Sequence, residues 1–366
     1  MLRDPLAEFV DVGIPAEQPV GAGVATVVAH VNETALADSR EKSLRSTRLS
    51  CLESFVVSAC TGNFGHAPVD VRIHPRAPPP WDRVSARFDQ SGVAMTDQTI
   101  LITGAAGGVG SLLRPRLSRP DRTLRLLDVA PIPAPTTREE IVVGSVTDAD
   151  AMVDACRGVD TVVHLGGQSR EHDIDNVVEL NIKGTYVVLE AARRAGVRTV
   201  MLASSNHAVG FSHRDQVPGK HLPADTPARP DTLYGLSKVG IEAAGRLFHD
   251  RYGINVICAR IGSWFETPPG VRGLATWLSP DDGARMVEAC IAAEAPGFRF
   301  IWGISRNSRR WFSLAEGEAI GYDPQDDAEL FADRLVTGDE PDFLADPELN
   351  RAGGSWCEVE LGKPMT

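Results

Sequence analysis

Residues Thr99 to Gly110 read TILITGAAGGVG, a short apolar run followed by a loop in which glycine returns at positions 104, 107 and 110. An apolar run of this length bounded by glycines predicts a buried strand. The glycines let the backbone turn tightly, approach a pyrophosphate and pack the following helix close to the sheet. The free N–H groups of that helix start then attract phosphate. The spacing is G-x-x-G-x-x-G, one residue different from the general dinucleotide fingerprint, and a glycine cluster alone could equally be a surface turn.

Working outward, strands and helices alternate with short connections. The predicted strands are TILIT, Thr123 to Asp128, Glu140 to Gly144, Asp160 to Leu165, Arg198 to Ser204, Ile254 to Arg260 and Phe298 to Gly303. Most are continuous β-branched runs, as expected of strands covered on both faces. Helical patterns lie at Asp148 to Cys156, Asn176 to Ala195, Thr232 to Tyr252 and Asp282 to Ala293. This order predicts an α/β fold, a Rossmann-type doubly wound parallel sheet with a small C-terminal substrate-binding region.

Asp128 closes the second strand of this series. There a carboxylate can accept hydrogen bonds from both ribose hydroxyls of an adenosine half, and it would repel a 2′-phosphate, so NAD is favoured over NADP. Strand, loop, helix and acid in this order raise the glycine cluster from a turn to a cofactor site. Tyr234 and Lys238 stand four residues apart at the start of a helical pattern, so both leave the same face. A nearby ammonium would lower the phenol pKa and make Tyr234 usable as a base.

Acids outnumber Lys plus Arg by 49 to 37, giving a net charge of −12, which repels polyphosphate and argues against a nucleic-acid partner. The apolar run from Gly21 to His30 is shorter than the ~20 residues a bilayer span needs. The start carries Asp4, Glu8 and Asp11 and is no secretory signal. The six cysteines, Cys51, Cys60, Cys156, Cys258, Cys290 and Cys357, have no C-x-x-C spacing and read as small buried hydrophobes, with neither a disulfide framework nor a metal site. A cytoplasmic location is expected, and the sequence leaves assembly into a homo-oligomer open.

Residues 1–94 show neither helical nor strand periodicity and include the proline run ending at Pro80. They read as a disordered extension or a mis-assigned start, since Met95 opens MTDQTILITGAAG as a protein start commonly does. Residues 95–366 are the expected enzymatic domain.

With TGAAGGVG, the segment beginning at Asn181, ASSNH and YGLSK, the chain from Met95 resembles the extended short-chain dehydrogenase/reductases, the NAD-dependent epimerase/dehydratase superfamily. Within it, HLGGQS (164–169), ASSNHAVG (203–210), PARPDTLYGLSK (227–238), RIGS (260–263), ATWLSPDD (275–282) and Trp302-Gly303 are most similar to the bacterial uronate dehydrogenases. The resemblance implies cofactor contacts from Gly104, Gly107, Gly108, Val109, Gly110, Asp128, Ser145, Val146, Leu165, Gly166, Tyr234 and Lys238. It implies Tyr234 as base, Lys238 holding the nicotinamide ribose and lowering the tyrosine pKa, and Ser205 hydrogen-bonding the reacting oxygen. Ser169, Ser205, Asn206, His207 and Ser263 would contact the sugar, and Arg272 would clamp its carboxylate. Asn181 is expected to stabilise the central helix. The implied activity is NAD-dependent oxidation of galacturonate or glucuronate at the anomeric carbon to the aldarolactone.

The resemblance also shows departures. Ser145 stands where the family usually carries an acid near the adenine. The aromatic residue that closes over the family's substrate finds only Leu361 and Gly362 nearby, and SHRDQVPGKHL (212–222) looks like an insertion beside the site. Two other readings share parts of the pattern. A nucleotide-sugar epimerase or dehydratase usually has a larger C-terminal region, whereas a non-catalytic NAD-sensing regulator has no need of Tyr234, Lys238 and Ser205 together.

Overall fold

The computed structural model describes residues 97–133, 135–217 and 221–365 in full, and the backbone of residues 25–27, 56–59 and 72–74. The chain divides into two units, residues 1–84 and 85–366. In the first, Ala25–Val27 (β1), Val56–Ala59 (β2) and Arg72–His74 (β3) pair antiparallel in that order. Strands of three or four residues are too short to display a period. The rest of residues 1–94, with Cys51 and Cys60, lies outside the described residues, and the reading of that stretch as an extension goes with it.

The second unit is built on seven parallel strands: Gln98–Thr103 (β4), Arg122–Asp128 (β5), Glu139–Val143 (β6), Thr161–His164 (β7), Thr199–Ser205 (β8), Asn255–Ile261 (β9) and Phe298–Gly303 (β12). A parallel pair, Ser263–Trp264 (β10) with Trp277–Leu278 (β11), stands apart from the main sheet. The order β12-β9-β8-β7-β4-β5-β6 is the doubly wound arrangement expected from the sequence. The chain runs outward from β4 to β6, then returns to lay β7 on the other side of β4. The strand order therefore reverses between β4 and β7, and open sheets of this kind bind ligands at the carboxyl ends of such a switch point.

Alternation along the strands splits the core between the two faces. Ile100 and Ile102 pack on one side with Leu113 and Leu117 of helix Gly108–Leu117 (α1), and with Met286 and Val287 farther along the chain. Leu101 faces the other side, with Met152 of Ala149–Ala155 (α2) and a further group of helical residues around Val188 and Ile241. All three β4 residues are fully buried, which explains the unbroken apolar run. β6 departs from the expectation of two covered faces: it is the edge strand, and Ile141 and Val143 are exposed.

The predicted helix from Asn176 to Ala195 is three pieces: Ile174–Val177 (α3), a π-helical stretch Val178–Lys183, and Gly184–Ala195 (α4). The wider turn carries Asn181 inward against Gly167, where a Cβ would sit 2.4 Å from its Oδ1. Leu233–Tyr252 (α5) starts where Thr232 Oγ1 accepts the Gly235 N–H at 2.9 Å, and it stops at the left-handed Gly253. Gly273–Thr276 (α6) leads into β11, and Pro280–Ala292 (α7) lies against α1.

Candidate active site

The glycine loop joins β4 to α1 at the switch point. Gly104 has φ +72°, and a Cβ there would meet the Gly166 backbone at 2.7 Å. Any other residue would be strained and would push the two strand ends apart. A Cβ at Gly110 would fall 2.6 Å from Gly104 O, so the helix start can lie this close only as glycine. A Cβ at Gly108 would meet nothing within 4 Å. Among the described residues no protein group accepts from the amides of Gly108, Val109 and Gly110. Three unpartnered donors at a helix start, beside open space, form a cradle that fits the pyrophosphate of a dinucleotide.

Asp128 sits at the end of β5 and ties this loop down, its Oδ2 accepting the Ala106 N–H at 2.9 Å and its Oδ1 the Ala130 N–H at 2.9 Å. Each oxygen keeps a further lone pair for a ribose hydroxyl. Val146 is buried between Gly166 and Gly184, and Leu165 N donates to Thr103 O at 3.2 Å. Ser145 turns back on its own loop, Oγ 2.8 Å from Thr147 Oγ1.

The sequence reading passed over His164, which is buried at the end of β7. Its ring bridges Thr103 Oγ1 at 2.7 Å and Thr185 Oγ1 at 3.0 Å. Burial, assisted by the Lys238 charge, pushes its pKa down to about 3, so the ring is neutral. Asn181 holds the next loop, accepting the Gln168 N–H at 2.7 Å and donating to Gln168 O at 3.0 Å and Ser237 Oγ at 2.7 Å. It acts on helix and loop, as expected. Ser169 lies exposed at the rim of that loop.

Tyr234 and Lys238 are buried on one face of α5, with Lys238 Nζ 5.3 Å from the phenol ring centroid and donating to Ala203 O at 2.7 Å. Burial pushes Tyr234 up to about 12, opposed by a hydrogen bond with Ser205, and it pushes Lys238 down to about 8. Burial disfavours the charged phenolate and the charged ammonium alike. Glu171, also missed, is wholly buried and accepts the Tyr234 N–H at 2.8 Å and the Gly362 N–H at 2.8 Å, fastening the start of α5 to the C-terminal tail.

Ser205 ends β8 and caps the short 3-10 turn that carries Asn206 and His207, accepting the His207 N–H at 3.2 Å. Asn206 Nδ2 donates to Ala352 O at 2.7 Å. His207 Nδ1 meets Asp231 Oδ2 at 2.7 Å. Trp356 stacks on the His207 ring with centroids 4.1 Å apart and lies edge-on to Tyr234 at 5.8 Å. Trp356, which the sequence reading passed over, thus places an aromatic ring of the C-terminal segment beside His207 and Tyr234. It sits in the 3-10 turn Gly354–Glu358, too short to leave a periodic signal. Ser263 is buried on β10, its Oγ 3.0 Å from Thr276 Oγ1.

Arg272 opens α6. It donates from Nη2 to Ala352 O, while its buried Nε has no partner, and a Cβ at Gly354 would press on its side chain at 2.6 Å. Among the described residues no carboxylate lies within ion-pair distance of it. Arg260 is different: it pairs with Glu242 through two contacts of 2.9 Å and binds the Ala224 and Thr226 carbonyls, a closed structural network. An ion pair so sealed has nothing left to offer a ligand.

The stretch 212–222 follows the C-terminal segment, with Ala352 N donating to Ser212 O at 2.9 Å and His213 bridging Arg351; residues 218–220 lie outside the described residues. Cys156, Cys258 and Cys290 are buried as expected, whereas Cys357 is half-buried against Gly210. Among the described residues no helix is long and apolar enough to cross a membrane.

Cradle, switch point and the Ser205, Tyr234, Lys238 cluster together define a class. Residues 100–272 match the NAD dependent epimerase/dehydratase family, and the chain belongs to that family. A uronate dehydrogenase of Pseudomonas putida is 38% identical over 260 residues, covering 70% of this chain and 95% of that protein. The crystal structure of uronate dehydrogenase from Agrobacterium tumefaciens superposes with a TM-score of 0.66 at 36% identity, covering 72% of this chain and 97% of that one. An NAD-dependent glucose-6-phosphate dehydrogenase of Haloferax volcanii is 38% identical over 254 residues, covering 64% of this chain and 96% of that protein.

Proposed function

We propose that this protein is an NAD-dependent dehydrogenase that oxidises a hexuronic acid, galacturonate or glucuronate, at its anomeric carbon to the aldarolactone. The observation that carries the substrate class is Arg272. A guanidinium with a buried, unpartnered Nε and no acid in contact invites an anionic group. A planar carboxylate answers it with two parallel hydrogen bonds and removes the cost of an unpaired charge, several kcal/mol when buried. Residues 95–366 form the working domain, acting in the cytoplasm on this small sugar acid.

Bound NAD+ supplies the hydride acceptor and a positive charge on its nicotinamide ring. The cradle at Gly107 to Gly110 would hold its pyrophosphate, Asp128 its adenosine ribose, Val146, Leu165 and Gly166 the loop wall, and Lys238 the second ribose. Ser205 and Tyr234 hold the C1 hydroxyl between them. Tyr234 Oη takes the hydroxyl proton as the C1 hydride leaves. Its high pKa in the closed pocket keeps the phenol protonated until cationic neighbours offset the burial. Asn206, His207 and the Ser169 rim face the remaining hydroxyls, and Ser263 supports this wall through Thr276. The ring hemiacetal becomes a lactone with release of NADH and one proton, so no water is consumed.

An epimerase or dehydratase would return its hydride to the sugar and release no NADH, and a sensor would bind NAD without turnover. Purified protein given NAD+ is expected to form NADH with galacturonate or glucuronate and far more slowly with galactose or glucose. Equal rates on acid and neutral sugars would refute the carboxylate clamp.

A further inference from the structure

Asp231 lies within PARPDTLYGLSK without a role assigned there, yet the elements around His207 close on it. Its side chain has no solvent exposure, and its Oδ1 accepts from Thr232 Oγ1 at 2.9 Å. Backbone from three separate stretches closes on the carboxylate. A Cβ at Gly210, Gly235 or Gly353 would fall 2.0, 2.9 or 1.9 Å from one of its oxygens. A carboxylate oxygen only accepts, so the 2.7 Å contact requires the hydrogen to be on His207 Nδ1. In a neutral imidazole the other nitrogen then carries a lone pair. Among the described residues no protein group bonds to Nε2, and it is not sealed from the pocket: the imidazole keeps 10% of its exposure.

The groups facing this ring are Asp231, Tyr234, Arg272, Glu171 and Trp356. Trp356 fixes the plane of the ring and Asp231 fixes which nitrogen faces inward. We propose that Asp231 is a positioning residue for the reaction: it locks His207 as the Nδ1–H tautomer, so that Nε2 accepts a hydrogen bond from a hydroxyl of the sugar. The inference rests on the sugar-acid reading above, since it needs a hydroxyl donor in the pocket. It adds a requirement that reading lacks, an acceptor on this wall where Ser205 and Arg272 supply donors. Asparagine at position 231 can keep an oxygen near Nδ1, but it can equally turn its NH2 to the ring, and the tautomer is then no longer fixed.

The test is the 15N spectrum of ring-labelled His207, assigned by comparison with His207→Gln and recorded without substrate, in wild type and Asp231→Asn. The wild type is expected to show a protonated Nδ1 and a bare Nε2, and the variant a mixture. In parallel, Asp231→Asn is expected to lower kcat/KM for galacturonate by about tenfold to a hundredfold, as loss of an orienting partner typically does. NAD affinity should be unchanged. The double variant with His207→Gln should lose no more than His207→Gln alone, because Asp231 acts through that ring. A protonated Nε2 in the wild type, wild-type kcat/KM in Asp231→Asn, or losses that multiply in the double variant would each overturn the proposal. The wild-type spectrum needs neither substrate nor a folded Asp231 variant. Inactivity of the wild type on uronates would therefore overturn the substrate reading, separately from the tautomer.

Discussion

Trp356 lies on the imidazole of His207, ring centroids 4.1 Å apart and 25° from parallel, although 149 positions separate the two in the chain. The C-terminal segment is thereby part of the pocket wall. Its Ala352 carbonyl accepts from both Asn206 and Arg272, and its tail is held by Glu171. Stacked ring pairs are worth about 0.5–1.5 kcal/mol. Trp356→Ala is therefore expected to raise KM for the sugar acid by about tenfold with a smaller effect on kcat, and Trp356→Phe to recover most of the loss. Steady-state kinetics with galacturonate at saturating NAD+ measure this.

Arg272 should discriminate and not merely bind. Truncating one partner of a buried charge pair costs about 2–5 kcal/mol, so Arg272→Ala should lower kcat/KM for galacturonate roughly thirtyfold or more. The slow rate on galactose should stay within about threefold. Arg272→Lys should remain impaired, because a point charge does not reproduce the planar fork. Comparing the acid and neutral sugar rates of the three proteins gives the answer.

Asp128 braces the loop through Ala106 and keeps lone pairs for the proposed ribose contact. Asp128→Ala is expected to weaken NAD binding about tenfold to a hundredfold, the worth of a hydrogen bond to a charged group. It should also narrow the preference for NAD over NADP, because the repulsion of a 2′-phosphate is gone. Titrations with both nucleotides report the two effects separately.

His164 predicts an acid-sensitive stability. Its pKa is about 3 in the folded protein against an ordinary value of 6.5, so between these values the unfolded chain binds a proton that the folded one does not. Stability from this group is complete above about pH 6.5 and falls as pH drops toward 3. Between pH 7.5 and 4.5 it should cost wild type about 3 kcal/mol that His164→Asn does not lose. Urea unfolding of both proteins at the two pH values measures the difference.

The parallel sheet was legible because its inner strands are covered on both faces, and Ile100 to Ile102 or Val256 to Ala259 are buried without a break. α5 was legible from its helical pattern and its length. What escaped were residues whose roles depend on distant backbone. Asp231 sits in a loop and is defined by Gly210 and Gly353, Glu171 by the amides of Tyr234 and Gly362, and Trp356 by a turn of five residues. The π-helical step at Asn181 keeps enough helical period to hide inside a longer helix. The desolvation of Tyr234 escaped for the same reason. Spacing reveals that Lys238 is near, whereas only the packed pocket reveals how completely Tyr234 is removed from water.

The central claim is that hydride leaves C1 of a uronic acid for NAD+. Galacturonate carrying deuterium at C1 tests it directly, with product and cofactor followed by NMR and mass spectrometry. The account predicts deuterium in the reduced cofactor, an unlabelled aldarolactone and a slowed chemical step, all abolished in Tyr234→Phe. Deuterium retained in the sugar, or turnover without NADH, would contradict it.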